Sequence, residues 1–168
     1  MKPYLLYVTR HAKSSWDDPA SRDFDRTLNQ RGLANAPQTG QQLLARGIHL
    51  DSIVSSPAVR AKATAQLIAH AMDYSPENIL FQQRIYEASS SDLASVVAQL
   101  DPAWYSVLLC GHNPGLTDFI TKYSDLNLDN LPTAAVAALQ FELPWKDIHR
   151  QKGKCLFFYS PRQGFIEP

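Results

Sequence analysis

Short apolar runs recur along the chain, separated by stretches in which apolar residues return every three or four positions. The first run, Tyr4 to Val8, predicts a buried strand that stops abruptly at Thr9-Arg10-His11. A polar segment over residues 12–26 follows, and loops of that length in compact domains often carry function. A helix is predicted from Thr27 or Asn29, both good N-caps, to about Arg46. Gly47 ends it, and Pro37 inside it is expected to kink it or shift its start. Ile48 to Ser55 predicts a second strand. Ser56 and Pro57 then read as N-cap and first residue of a helix with the stripe Val59, Ala63, Leu67, Ile68 and Ala71. A short strand at Ile79 to Gln82 precedes a helix carrying Leu93, Val96, Val97 and Leu100, which Pro102 ends. Trp104 to Cys110 is the strongest strand signal, and Asn113 and Pro114 after it read as the opening of a helix that runs to about Tyr123. Ala134 to Glu142 and Lys154 to Tyr159 predict the last two strands.

The resulting order, β-α-β-α-β-α-β-α-β-β, predicts an α/β three-layer α/β/α sandwich with a mostly parallel central sheet, in a single domain over residues 1–168. Ligands bind such folds outside the carboxyl ends of the parallel strands. That edge receives Arg10 and His11 from the first strand, Arg60 from the first turn of the second helix, and His112 from the end of the strand at Trp104 to Cys110.

Composition narrows the setting. Hydrophobic residues make up 45% and charged residues 19%, the balance of a globular chain. Sixteen basic residues offset 16 acidic ones, so no long-range field for nucleic acid or an anionic membrane is expected, although a local cationic pocket stays open to the chain. No apolar run approaches the ~20 residues needed to span a bilayer. Tyr4 to Val8 reads as a strand and not as a signal peptide. Cys110 and Cys155 both sit in strand-like apolar runs, which predicts two reduced thiols and a cytoplasmic protein.

Two arginines and two histidines around one point form an anion site, and a phosphoryl group fits it best. Guanidinium donors match phosphoryl oxygens in charge and geometry. One neutral imidazole serves as nucleophile, forming a phosphohistidine; the other donates a hydrogen bond to the transferring group. A cysteine phosphatase is disfavoured, because its arginine six positions after the cysteine is Leu116 here. Cys110 reads as a buried strand residue, and no compact set of metal ligands appears.

The segments RHAKSSW, SSPAVRAKAT and GHNPGL resemble the three signature segments of the histidine phosphatase superfamily. DFDRTLNQRG, RIYEASSSDL and LPTAAVAAL resemble further segments of its small branch, the SixA-type phosphohistidine phosphatases, so the similarity spans nearly the whole chain in order. The resemblance implies a phosphoglycerate mutase-like fold, His11 as the phosphorylated nucleophile, Arg10, Arg60 and His112 as phosphoryl-binding residues, and no metal or organic cofactor. It implies as substrate a phosphohistidine on a protein such as a histidine phosphotransfer domain, with a small phosphorylated molecule as the alternative; a non-catalytic phosphate-binding module is a more distant one. Glu87 lies about where larger members place a catalytic glutamate, and a surface role is the competing reading. Larger members also carry glycine and asparagine where this chain has Ala12 and Asp17, so Asp17 is expected to point away from a bound phosphate or to serve another role.

Other polar residues are given narrower expectations. Asn113 is expected to cap its helix and to reach phosphate through its backbone, Thr133 to approach the pocket, and Arg26 to pair with Asp23 or Asp25, with a part in binding the substrate as the competing reading. Trp16, Trp104 and Trp145 are read as core or pocket wall, and His49, His70 and His149 as surface residues.

Overall fold

The computed structural model describes residues 2–168. Eleven regular elements follow one another: β1 (Tyr4–Arg10), α1 (Gln30–Ala45), β2 (Ser52–Ser55), α2 (Val59–Ala71), β3 (Leu80–Phe81), α3 (Ser90–Ala98), β4 (Ser106–Gly111), α4 (Gly115–Tyr123), β5 (Val136–Phe141), β6 (Lys154–Ser160) and β7 (Gly164–Ile166). The strands form one seven-stranded sheet in the order β3-β2-β4-β1-β5-β6-β7. The half β3-β2-β4-β1 is parallel throughout, while β5, β6 and β7 pair antiparallel, so the sheet is mixed.

Alternation along the strands sends side chains to two cores. Leu6, Val8, Val54, Val107 and Leu109 face α3 and α4, where Leu93, Val97, Leu116 and Phe119 meet them. Tyr7, Ile53, Leu108 and Cys110 face the opposite side, against Leu43 of α1 and Ala61, Ala65 and Ile68 of α2. Each large aliphatic side chain so buried contributes roughly 1.5–3 kcal/mol, which offsets the cost of ordering the chain. The chain leaves β1 toward the α1 face and β4 toward the α4 face, although the two strands are neighbours in the sheet. Their carboxyl ends therefore flank a crevice that neither connection fills.

Several boundaries differ from expectation for local physical reasons. Asn29 caps α1 through a hydrogen bond from the Gly32 N–H, and Pro37 lies inside the helix without ending it. Leu33, whose carbonyl loses the position-37 donor, is 52% exposed. Residues 48–50 are not strand: Gly47, at φ +80°, and Ile48 return hydrogen bonds to Leu44 and Leu43 and close α1 in a Schellman motif. Residues 104 and 105 precede β4, with the Trp104 carbonyl accepting from the buried Trp145 indole. Helix α2 opens at Val59 rather than at Pro57, because the Ser56 hydroxyl accepts from the Ala58 N–H two residues on and Ala58 stays extended. Helix α4 likewise opens at Gly115 with Pro114 as its cap residue, and Asn113 accepts from Thr117 inside the helix. The strand β7 was not foreseen; residues 161–163 turn the chain back onto β6.

Candidate active site

The first strand carries the site's centre. The His11 N–H donates to the Gly111 carbonyl at 3.0 Å, which extends the β1–β4 pairing by one residue and brings His11 and His112 together. Their ring centroids lie 5.3 Å apart. His11 Nδ1 is 2.7 Å from the Ala12 carbonyl, an acceptor only, so Nδ1 carries the proton and Nε2 keeps its lone pair. The Arg60 Nε–H points at that lone pair from 3.4 Å, a long and weak hydrogen bond. Burial lowers the His11 pKa to about 3, against the opposing pull of the Ala12 carbonyl, and His112, Arg60 and Arg10 add to the lowering. His112 is lowered to about 4, first by burial and then by Arg60. Both imidazoles are therefore neutral near pH 7. His112 Nε2 lies 2.7 Å from the Ser56 hydroxyl, and its Nδ1 is buried without a partner.

Both arginines are anchored by the protein. Arg10 Nη1 donates to the Leu131 carbonyl at 3.2 Å, and its Nε is buried with no partner. A buried cationic donor left open is costly until an anion meets it. Burial, then Arg60, lowers the Arg10 pKa. Arg60, 5% exposed, donates through Nη1 to the Asp23 carbonyl at 2.6 Å and through Nη2 to the Asp23 carboxylate at 3.0 Å.

Asp23 is the hub that sequence reasoning missed. Its carboxylate also accepts from the Tyr86 hydroxyl at 2.7 Å and from Arg26 Nε at 3.2 Å. The Tyr86 hydrogen bond, followed by Arg60, holds the Asp23 carboxyl at about 2, while burial and Asp23 push the Tyr86 hydroxyl up to about 12. Arg26 pairs with Asp23 as expected, yet it also donates to Ser14 Oγ at 2.6 Å and stacks 3.6 Å from the Trp16 ring centroid. The available signal was the polar run 22–26, in which charges of both signs crowd between a strand and a helix. Tyr86 and Ser56 carried no such signal; only the folded chain brings them to Asp23 and His112.

His11, His112, Arg10, Arg60, Asp23, Arg26 and Tyr86 line a cavity of about 300 Å³, with Ser56 buried behind His112. The same cavity is lined by Glu87, Asn113 and Thr133, so all the residues singled out for the site reach it. Their engagement differs. The Asn113 amide is committed to Asn130, Leu131 and Thr117, so its side chain ties α4 to the loop before β5 rather than standing free. Glu87 is exposed, at φ +56°, and makes no ion pair among the described residues. Such left-handed backbone at a non-glycine residue costs on the order of 1–3 kcal/mol and tends to persist at functional sites. Packing enforces it: a Cβ on Gly115 would lie 2.1 Å from the Ala88 carbonyl oxygen, so the 87–88 turn rests directly on α4. Asp17 is exposed and does not line the cavity. Trp16 forms part of the cavity wall while 73% exposed, and Trp145 is core. His49, His70 and His149 are exposed, and Cys110 is buried and unpaired, its thiol pushed up to about 12 by burial. Among the described residues, no three His, Cys, Asp or Glu side chains are grouped to hold a metal, and no helix is long and apolar enough to cross a membrane.

Comparison with known proteins agrees with this geometry. The sequence matches the model of the histidine phosphatase superfamily (branch 1) over residues 6–112. An uncharacterized chloroplastic protein of Arabidopsis thaliana is 30% identical over 157 residues, which cover 88% of this chain and 72% of the relative. A crystal structure of an Agrobacterium tumefaciens protein assigned as the phosphohistidine phosphatase SixA superposes with a TM-score of 0.80 at 28% identity, covering 95% of this chain and 99% of the other. A mycobacterial glucosyl-3-phosphoglycerate phosphatase shares the fold at 17% identity, with a TM-score of 0.70 over 90% of this chain and 97% of its own. The matched segment contains Arg10, His11, Arg60 and His112, and the chain belongs to the histidine phosphatase superfamily (branch 1), with the fold of its SixA-type members.

Proposed function

We propose that this protein is a phosphatase that works through a phosphohistidine at His11 and removes phosphoryl groups from phosphohistidine on a protein. The observation that carries the reading is the His11 imidazole: its proton is held on Nδ1 by Ala12, and the bare Nε2 faces Arg60 beside Arg10 and His112. The Nε2 lone pair forms a bond to phosphorus while the bond from phosphorus to the leaving imidazole nitrogen breaks. That nitrogen keeps the electron pair and takes a proton from solvent. Arg10, Arg60 and His112 hold the three transferring oxygens. Water then adds to phosphorus, the N–P bond breaks, and its electron pair returns to Nε2 as phosphate leaves. Attack withdraws the lone pair from the Arg60 Nε–H, and that donor passes to a phosphoryl oxygen.

A departing imidazole needs little acid assistance, which suits a site where Glu87 is exposed and the Asp23 carboxylate is tied to Arg60, Arg26 and Tyr86. Support for a protein substrate comes from the Agrobacterium relative, assigned as a phosphohistidine phosphatase. The second reading, a phosphomonoesterase for small molecules, draws on Glu87 lining the cavity, where a positioned acid contributes ~10²–10⁴-fold to departure of an alkoxide.

The test compares phosphate release from a phosphorylated histidine phosphotransfer domain and from a sugar phosphate. Wild type, His11→Ala and Glu87→Gln are each assayed. The protein reading expects release from the domain that vanishes in His11→Ala and survives in Glu87→Gln. Turnover confined to the sugar phosphate and lost in Glu87→Gln selects the esterase. Full activity in His11→Ala overturns both.

A further inference from the structure

A second cavity of about 300 Å³ shares the Thr133 wall with the catalytic one. Arg31 and Asn35 of α1 line one side, and Arg162 and Gln163, in the turn between β6 and β7, line the other. No aspartate or glutamate lines it, and neither arginine pairs with a carboxylate among the described residues. The contrast with the catalytic cavity is informative. There Arg60 and Arg26 are both matched by Asp23, whereas here two exposed arginines line one cavity and neither has a carboxylate partner among the described residues.

The wall between the cavities is rigid and tied to the nucleophile's strand. Ala134, next to Thr133, sits at φ +60°, and its N–H donates to the Arg10 carbonyl at 3.0 Å. Its carbonyl accepts from the buried Thr39 hydroxyl at 2.9 Å. The backbone that carries Arg31 is held closely too, because the next residue, Gly32, lies against the Lys13 carbonyl so closely that a Cβ would meet that oxygen at 2.2 Å. Two arginines without carboxylate partners thus line a cavity that adjoins the His11 cavity at Thr133, and planar guanidinium donors recognise carboxylate or phosphate oxygens.

We infer that the Arg31–Arg162 cavity is a second anion subsite, which takes an anionic oxygen group carried by the same substrate whose phosphoryl group enters the His11 cavity. On a protein substrate the group is an acidic side chain neighbouring the phosphohistidine; on a small molecule it is a second carboxylate or phosphate. The inference rests on the phosphatase reading of the His11 cavity. It makes that cavity the generic half of the site and the neighbouring one the selective half.

The experiment measures kcat/KM for wild type and Arg31→Gln/Arg162→Gln on three substrates: phenyl phosphate, the same ester bearing a ring carboxylate, and the phosphorylated phosphotransfer domain. The expected result is a loss of about tenfold on the carboxylated ester, on the domain, or on both, carried by KM and shrinking at high salt, with phenyl phosphate turned over as by wild type. Loss on both marks any second anion as a ligand, and loss on the domain alone marks the protein's acidic side chain as its source. Equal ratios among the three substrates in wild type and variant overturn the subsite. Failure of wild type to act on the domain counts against the protein reading alone, because the pair of aryl esters still reports the subsite.

Discussion

Acid lability gives the sharpest test of the site's electrostatics. In the unfolded chain, His11 and His112 each take a proton near 6.5; in the folded protein, they do so only near about 3 and about 4. Between those limits the unfolded state binds more protons, so stability present above pH ~6.5 is lost as pH falls. At about pH 5, an unfolded imidazole gains roughly RT ln(1 + 10^1.5), or about 2 kcal/mol, while the folded one gains almost nothing. Two such groups remove about 4 kcal/mol on going from about pH 7.5 to about pH 5. The result hardly depends on the folded values so long as both stay at or below about 4. For 168 residues, this corresponds to a fall in Tm on the order of 10 °C. Asp23, lowered from the ordinary 3.8 to about 2 by Tyr86 and Arg60, enters only at lower pH.

Urea unfolding at the two pH values would measure the loss in wild type, His11→Gln and His112→Gln. Each variant should recover about half of it. Phosphate, replacing chloride at equal ionic strength, should shrink the wild-type loss, because an anion in the cavity favours the charged imidazoles. A wild-type loss below about 1 kcal/mol, or a full loss in both variants, would refute the claim that these two rings are held neutral by burial. The same reasoning predicts that the acid limb of kcat/KM is not set by His11 above about pH 5.

Other expectations follow from individual contacts. Asp23→Asn removes the charge that holds Arg60 and Arg26; kcat should fall about tenfold while inhibition by inorganic phosphate tightens, since a repelling carboxylate has gone. Equal loss of kcat and of phosphate affinity would mean that Asp23 merely supports the fold. Ser56→Ala takes the partner from His112 Nε2 and should lower kcat severalfold, with the far-UV circular dichroism spectrum unchanged. Gly115→Ala drives a methyl group into the Ala88 carbonyl and should cost about 1–3 kcal/mol in thermal unfolding; an unchanged Tm would show that the 87–88 turn is free to move.

Hydropathy period alone placed four helices and most strands, because each element must show one apolar face to a common sheet, and that demand is written locally. The Arg10-His11 pair, Arg60 and His112 were legible for the same reason: each stands within two residues of an element's end, at the edge where α/β sheets open. Boundaries failed where side chains competed with backbone, as at Ser56, whose hydroxyl serves Ala58 and His112 and leaves the helix to start at Val59. The antiparallel half of the sheet and β7 were beyond local pattern, since pairing direction depends on which strand a segment meets. Tertiary structure alone decided the inner wiring of the site. Asp23 reaches Arg60 and Tyr86 across 37 and 63 positions of sequence, and no spacing rule encodes contacts that exist only once three loops meet over one crevice. The sequence by itself determined which charged groups arrive at that crevice; the fold determined which imidazole nitrogen is left bare there, because burial and a neighbouring carbonyl, not residue type, set the proton's place.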